Sequence, residues 1–277
     1  MAQHLKIEAG GGERQYWHDV WRYRELFYFL AWRDFLVRYK QTFVGVAWSL
    51  IRPVLMMFAL TLVGKIGRLP TGGVPGPLFF FCGMLPWQFF STALSESGNS
   101  LVNNANLVAK VYFPRLVVPA SSVIISFVDF VIAAVLLFGM MIGYHFTQYH
   151  FNLPPQIIYL PCFVVLIFAA SLGAGIWVAA LMVEYRDFRF IMPFVIQFGI
   201  FISSVLTMTS SVPAHWRLLY SLNPVVGIID GFRWCLLGGE NVIYWPGLVA
   251  SVLVVTLLLT TGLWHFRKME RTFADNI

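Results

Sequence analysis

The sequence has few charged residues for its length. Charged residues make up 12% of the 277 residues, and hydrophobic residues make up 58%, whereas a typical soluble domain carries about 25% charged residues. A water-soluble protein with this composition would lack the polar side chains needed to cover its surface. The composition therefore excludes a soluble globular protein and indicates a function carried out in or across a membrane.

Cysteines are also few, and the common enzyme motifs are absent. Cys82, Cys162 and Cys235 are widely spaced without a CxxC pair, which predicts neither a disulfide framework nor a zinc site. There is no GxSxG or HExxH motif, and no GxxxxGK[ST] motif that would hold ATP phosphates. The chain does not open on a basic segment followed by an apolar core and a cleavage site, so no cleaved signal peptide is expected. We expect no catalytic residue, metal or cofactor on this chain, and any energy from ATP must come from another polypeptide.

Long apolar segments are what the sequence has in abundance. Each approaches the roughly 20 residues that a helix needs to cross ~30 Å of hydrocarbon. Backbone N–H and C=O groups must be hydrogen-bonded within lipid, so each segment is predicted to be helical. The segment with Pro86 is the least regular. The six segments are 43–64, 78–95, 117–144, 157–183, 190–209 and 246–266. We predict an all-α membrane protein with six transmembrane helices in a transmembrane domain over 43–266.

Lys and Arg are distributed unevenly between alternate connecting segments. With the amino end inside, residues 1–42, 96–116, 184–189 and 267–277 hold fourteen of them, and the outer segments hold four. The positive-inside rule then predicts a cytoplasmic N-terminus over 1–42 and a cytoplasmic tail over 267–277. The net charge of +6 reflects this topology, so we expect no nucleic-acid partner.

Residues 21–43 carry aromatic side chains at helical spacing. Tyr28, Trp32, Phe35 and Tyr39 fall on one helical face, and most of the basic residues fall on the other half. A basic helix with an aromatic face is suited to the headgroup layer, so we predict an amphipathic interface helix; a plain cytoplasmic extension of the first span is the alternative. The residues expected to characterise it are Trp32, Arg33, Arg38, Tyr39 and Lys40.

Three charged residues are predicted at membrane depth. Arg52, Glu96 and Asp129 would each cost about 2.5–3.5 kcal/mol on insertion, so each is expected to face protein, a partner charge or water. For Arg52 two interpretations stay open, a functional position or snorkelling to the inner headgroups. For Asp129 a structural hydrogen bond or subunit contact is favoured over a proton relay.

Residues 210–245 are too polar and too interrupted by Pro and Gly to span a membrane, although they hold several large apolar side chains. Such segments enter a membrane and return where protein or water satisfies their backbone. We therefore predict re-entrant segments before the last span. A loop lying flat on the outer surface is the alternative.

Aromatic residues are numerous, with 26 Phe, 11 Tyr and 10 Trp. Aromatic rings stack on the apolar faces of sugars and tolerate many sugar sequences, as they tolerate varied bases in single-stranded nucleic acids. A conduit for a sugar chain would use such a lining. Lipid-facing Phe and ordinary interfacial belts of Tyr and Trp are the alternative interpretation.

Four short segments resemble a known family. They are VAWSLIRP at 46–53, NANLVAKVYFPR at 104–115, EYRD at 184–187 and LNP at 222–224. Together they resemble the permease subunits of ABC-2 type exporters, specifically those that export O-antigen and related polysaccharides. The resemblance covers nearly the whole chain from about residue 25, and the segment at 104–115 is its most specific part.

The resemblance implies a homodimer in the bacterial inner membrane, bound to a separate P-loop ATPase that carries ATP and Mg. It implies a polyprenyl-diphosphate-linked polysaccharide as cargo, moved through an aromatic-lined channel at the dimer interface. The implied ATPase contacts are Asn104, Asn106, Leu107, Lys110, Tyr112, Phe113, Arg115, Glu184, Arg186 and Asp187. The implied substrate path and outer gate include Trp48, Arg52, Trp216, Tyr220, Asn223 and Trp234.

Three other functions stay open at this point. The same fold would serve a capsule glycan, a teichoic acid, or a lipid or drug. A proton-coupled secondary transporter would depend on Asp129, but the sequence has neither an internal repeat nor a second buried acid to support it. A membrane-embedded glycan transferase would require clustered acids or histidines at one membrane face, and the sequence has no such cluster.

Overall fold

In the computed structural model the chain forms a bundle of helices. The structure describes residues 13–40, 45–146, 154–238 and 242–270, and none of these belongs to a β-strand. Phe43 of the predicted interface helix and most of the predicted tail lie outside the described residues.

The described helices are numbered here in chain order. Two 3-10 turns, Pro155–Tyr159 and Thr209–Ser211, accompany them. The helices are α1 (Glu13–Arg22), α2 (Arg24–Lys40), α3 (Gly45–Ile66), α4 (Gly76–Asn103), α5 (Ala105–Lys110), α6 (Val117–His145), α7 (Leu160–Glu184), α8 (Phe188–Ile202), α9 (Ala214–Tyr220), α10 (Pro224–Leu236) and α11 (Trp245–Met269).

Helices of the predicted kind are present for five of the predicted spans. The helices α3, α4, α6, α7 and α11 are each long and apolar enough to cross a membrane. Pro86 does not end the second span, because α4 continues past it to Asn103. The whole helix has 28 residues, a length of about 42 Å at 1.5 Å per residue. Membrane helices tolerate a proline where neighbouring groups satisfy the freed carbonyl. Glu96 therefore lies inside α4 and not at its end.

The helix predicted over 190–209 ends earlier, at Ile202. This helix, α8, has 15 residues and a length of about 22 Å, which is shorter than the ~30 Å of hydrocarbon. Beyond it the chain is non-helical until the 3-10 turn at Thr209–Ser211. Helix length alone thus does not establish a sixth span.

The amino-terminal segment forms two helices and not the single helix predicted over 21–43. The break falls at Tyr23, between α1 and α2. On α2 the rings of Tyr28, Trp32, Phe35 and Tyr39 follow one another with centroids 6.3, 5.5 and 4.7 Å apart. The predicted aromatic face is therefore present. Leu30 points the other way and is buried against the protein.

The helix α4 lies at the centre of the bundle and packs against α3, α6, α7 and α10. Its Phe79, Phe80 and Phe81 are buried, and Phe89 stacks among rings of α6 and α7. Between membrane helices such rings stabilise the fold through close van der Waals packing, because lipid is as apolar as the rings themselves. This group of aromatic residues therefore forms the core of the helical bundle, a role that neither interpretation of the aromatic content predicted.

The two ends of the bundle differ in composition. We call the proximal end the one at which α1, α2, α5 and the last turns of α11 meet around buried Leu30, Val108, Phe113 and Phe266. The distal end is formed by α9, α10 and the non-helical chain that follows α8. The candidate sites lie at the proximal end and between α2 and the spans.

Candidate functional site

The segment between α4 and α6 presents one set of residues to solvent and buries another. The side chain of Tyr112 is 70% exposed, and Asn106 and Lys110 are also exposed. Phe113 is only 4% exposed because it packs into the proximal core. The predicted contact residues of this segment therefore divide into an outward-facing group and an anchoring residue, with Leu107 half-buried between them.

Asn104 and Arg115 at the ends of this segment are held by other elements. The Nη2 of Arg33 on α2 donates to Oδ1 of Asn104 over 2.8 Å. The backbone N–H of Arg115 donates to Oε1 of Glu270 over 2.7 Å, and the Arg115 guanidinium donates to the backbone carbonyl of Glu270. The segment is thereby tied to α2 and to the residue that follows α11.

Glu270 also lies near the hydroxyl of Tyr16 on α1, and Arg267 lies over the Tyr16 ring at 4.8 Å. Burial raises the pKa of Glu270, although the hydrogen bond from the Arg115 backbone and the charge of Arg267 oppose the shift. Between the ordinary pKa of a glutamate and this raised value, the folded protein binds more protons than the unfolded chain. The contribution of Glu270 to stability therefore declines as pH rises through that interval.

We expect Glu270→Ala to lower the free energy of unfolding by about 1–3 kcal/mol, because it leaves the Arg115 N–H without its acceptor. Glu270→Gln keeps an acceptor oxygen and should lose less, with a smaller decline of stability between acidic and neutral pH. Thermal unfolding in detergent measures both. Equal losses in the two variants would contradict this role of Glu270.

A second exposed segment joins α7 to α8. Glu184, Tyr185, Arg186 and Asp187 are all exposed, and Val183 just before them is buried in the proximal core. This segment therefore shares the proximal end with Tyr112. The acidic and basic side chains of this segment and the ring of Tyr185 are suited to contact with another protein.

The helix α2 is fastened to two spans by charge. Arg38 Nη2 lies 2.9 Å from Oε1 of Glu96 on α4, and its Nη1 lies 2.9 Å from Oδ2 of Asp129 on α6. The hydroxyl of Tyr39 donates to Asp129 as well. We call Arg38, Tyr39, Glu96 and Asp129 the α2 clamp. Asp129 thus meets the need for a partner charge that its depth imposes, as expected for a structural role, whereas Lys40 beyond the clamp is exposed.

A cavity of about 340 Å³ lies beneath the clamp, between α2, α3, α4 and α6. Arg38, Tyr39, Asp129 and Arg52 line it, together with Ser49, Gln88, Thr92, Ser126 and five apolar side chains. Arg38 is paired with two carboxylates, so the Arg52 guanidinium is the cation of this cavity that no acidic side chain neutralises in the described structure. Such a cavity has room for a small anionic group.

Residues 25–237 match the family model of the ABC-2 type transporter, which is more than half of the chain. The chain belongs to the ABC-2 type transporter family. This ABC-2 protein is 26% identical over 265 residues to the O-antigen export system permease protein RfbA of Myxococcus xanthus, covering 94% of this chain and 98% of the relative. Proteins of the same name from Klebsiella pneumoniae are 23% and 24% identical, each covering 88% of this chain and 91% of the relative.

The predicted path residues of the ABC-2 protein do not meet at one place. Arg52 lines the cavity, while Trp216 is exposed on α9 and Tyr220 ends that helix. Asn223 caps α10 by accepting from the Val225 N–H over 3.1 Å. Trp234 stacks on Tyr159 with centroids 5.8 Å apart. Trp48 is not among the residues whose side chains the structure describes.

Sequence reasoning missed two residues of the ABC-2 protein that make extensive polar contacts. They are Glu270, within the predicted cytoplasmic tail, and Arg233, one of the four basic residues of the predicted outer segments. An arginine flanked by apolar residues, three positions after Asp230 on one helical face, was the available signal for Arg233. Among the residues described, no group of three or more His, Cys, Asp or Glu side chains lies close enough to hold a metal ion.

Proposed function

We propose that this ABC-2 protein is the membrane-spanning permease subunit of an ATP-driven exporter of O-antigen polysaccharide. The observation that carries the proposal is its likeness, over nearly its full length, to O-antigen export permeases of two bacteria. The protein would lie in the bacterial inner membrane with both termini in the cytoplasm, and α8 with the chain after it would complete a sixth span. The excess of Lys and Arg on the inner segments supports this orientation.

A separate ATPase subunit would supply the energy. The sequence contains no P-loop motif, whereas the proximal end presents Tyr112, Lys110 and the 184–187 segment to solvent. An exposed ring flanked by charges, anchored from behind by buried Phe113, is the kind of patch that binds a protein partner. We therefore assign the ATPase contact to these two segments.

The glycan would move between two copies of the chain. Each unpaired sugar hydroxyl costs a few kcal/mol in hydrocarbon, so a polysaccharide requires a continuous polar conduit. The cavity of about 340 Å³ within one protomer has room for only one or two sugar rings, and the aromatic cluster around Phe89 is packed core. These two facts favour a channel at a homodimer interface, with the α2 helices at the membrane surface.

The cavity would receive the diphosphate that links the glycan to its polyprenyl lipid. Arg52 supplies a guanidinium with no carboxylate partner among the described residues, and guanidinium groups bind phosphates through paired hydrogen bonds. We expect Arg52→Ala to reduce export about tenfold or more at unchanged protein level, and Arg52→Lys to retain part of it. Export measured as surface polysaccharide at the parental level in Arg52→Ala would remove Arg52 from this role.

The function is tested in a strain from which the coding sequence has been deleted. We expect loss of surface O-antigen, accumulation of lipid-linked glycan inside, and recovery when this chain is supplied; in a strain that also lacks the P-loop ATPase, recovery should require both proteins. Loss of a capsule or of teichoic acid in place of O-antigen would change the cargo while keeping the fold. Export from vesicles that contain this chain alone, driven by a proton gradient, would overturn the proposal in favour of secondary transport.

A further inference from the structure

Arg233 is the largest fully buried side chain among the residues that the structure describes. It lies on α10 with 1% of its surface exposed. Its Nη1 donates to the carbonyl of Ser204 over 2.5 Å, and its Nη2 donates to the carbonyl of Val205 over 2.6 Å. A longer bond of 3.3 Å reaches the carbonyl of Thr207. All three acceptors belong to the non-helical chain that follows α8.

These carbonyls require donors because α8 ends before it has crossed the hydrocarbon. Non-helical backbone at membrane depth is stable only where protein or water satisfies its polar groups. A guanidinium carries five N–H donors in a fixed plane, so one side chain serves several carbonyls at once. The Arg233 side chain on α10 thus supplies the hydrogen-bond donors that further turns of α8 would have provided.

The guanidinium is held in place from its other side. It lies 3.8 Å from the centre of the Phe79 ring on α4, and a Cβ on Gly83 would approach its Nη2 to 2.4 Å. Asp230, one turn earlier on α10, lies close to Arg233 and to the hydroxyls of Ser204 and Thr209. We call Arg233, Asp230 and the 203–209 chain the distal clasp.

A buried charge is a poor device for stability alone, since apolar residues of similar volume often stabilise as well or better. The distal clasp has a different property: because the hydrogen bonds of Arg233 end on backbone carbonyls, the clasp separates into two polar surfaces that water can satisfy. We propose that Arg233 is a positioning residue that holds the distal end of α8 against α10 in the closed state, and that the distal clasp separates when the export conduit opens. This inference rests on the proposed export function.

The chain carries its own reporters of such an opening. Cys82 on α4 and Cys235 on α10 are fully buried beside the clasp, and the third cysteine, Cys162, is exposed. In a Cys162→Ser background a membrane-impermeant maleimide will label Cys82 and Cys235 only if the distal end opens. The experiment uses the complex with its ATPase in proteoliposomes, with and without ATP.

We expect slow labelling of the Cys162→Ser protein at rest and faster labelling during ATP hydrolysis. Arg233→Met should label about tenfold or more faster than this parent at rest, because it removes the charge-assisted bonds, and ATP should add little. Gly83→Ala, which pushes the guanidinium away, should show the same direction. The matched control is Arg217→Met, since Arg217 also donates to carbonyls, those of Val212 and Ser210 over 2.7 Å each, but outside the clasp, and it should label like the parent.

Resting labelling of Arg233→Met at the parental rate would overturn the proposal, as would a parent whose labelling ATP does not change. If Arg233→Met fails to reach the membrane, Arg233→Lys replaces it, with an intermediate labelling rate expected and the parental rate overturning the proposal. The labelling requires no glycan, so a cargo other than O-antigen would leave this result intact. The two proposals therefore fail separately.

Discussion

Arg38→Glu should stop export. The substitution removes the cation that joins Glu96 and Asp129 and places a third carboxylate between them. Breaking a buried ion pair costs about 3–5 kcal/mol, whereas surface pairs contribute about 1 kcal/mol or less. The side chains of Arg38, Glu96 and Asp129 are 32%, 47% and 26% exposed, so we expect a loss of about 2 kcal/mol. That changes the ratio of docked to undocked α2 by about thirtyfold.

Surface polysaccharide in a complemented deletion strain measures this effect, with the amount of protein in the membrane determined alongside. Arg24→Glu is the matched control, because it makes the same charge change on α2 where the side chain is exposed and only approaches the Trp21 ring at 5.8 Å. Adding Glu96→Arg to Arg38→Glu should recover part of the export. If Arg24→Glu and Arg38→Glu lose export equally, the basic charge of α2 matters and the α2 clamp does not.

Tyr112→Ala and Phe113→Ala, although adjacent, should fail in different ways. Tyr112 is 70% exposed, so its removal should leave folding intact. Because an exposed ring of this kind would bind the partner, we expect the ATPase no longer to co-purify and export to fall about tenfold or more. Phe113 is 4% exposed, and truncating a buried phenylalanine costs about 3–5 kcal/mol. We therefore expect Phe113→Ala to reduce the amount of protein in the membrane and its thermal stability.

The readouts are co-purification of the ATPase, ATP hydrolysis by the complex, and unfolding temperature in detergent. Tyr159→Ala is the control, because Tyr159 is a similarly exposed tyrosine near the distal end and should leave ATPase binding unchanged. If the Tyr112→Ala protein binds and stimulates the ATPase like the parent, this segment is not the ATPase contact. A stable Phe113→Ala protein would show that the segment does not depend on its buried anchor.

Hydropathy and charge were enough to predict most of the fold. Five spans follow from runs of apolar residues, because lipid leaves the backbone no alternative to helix. The same reasoning extended the helix that begins near Phe188 too far, since Ser203 and Ser204 interrupt the apolar run only briefly. Just beyond the end of the helix, Arg233 on α10 donates to the carbonyls of Ser204 and Val205, and a pattern within one segment carries no information about such a contact.

The candidate site was predictable in its residue types but not in its connections. The segment at 104–115 was identified as a contact region, yet its alternation of exposed Tyr112 and buried Phe113 depends on how it lies against α2 and α11. Asp129 was expected to have a partner because of its depth. Its partner Arg38 belongs to α2, a segment that the sequence predicts at the membrane surface. Long-range pairs of this kind are set by tertiary packing, so periodicity cannot reveal them.

One helix connects the proximal end, where it meets the segment at 104–115, with the distal end. The last span, α11, has 25 residues, about 37 Å of continuous hydrogen-bonded backbone. Ser251 near its beginning accepts from the Gly227 N–H of α10 and donates to the carbonyl of Ser221 after α9. Glu270 just past its end holds Arg115. We therefore expect a displacement of Arg115 at the proximal end to be transmitted along this one helix to α9 and α10 at the distal end.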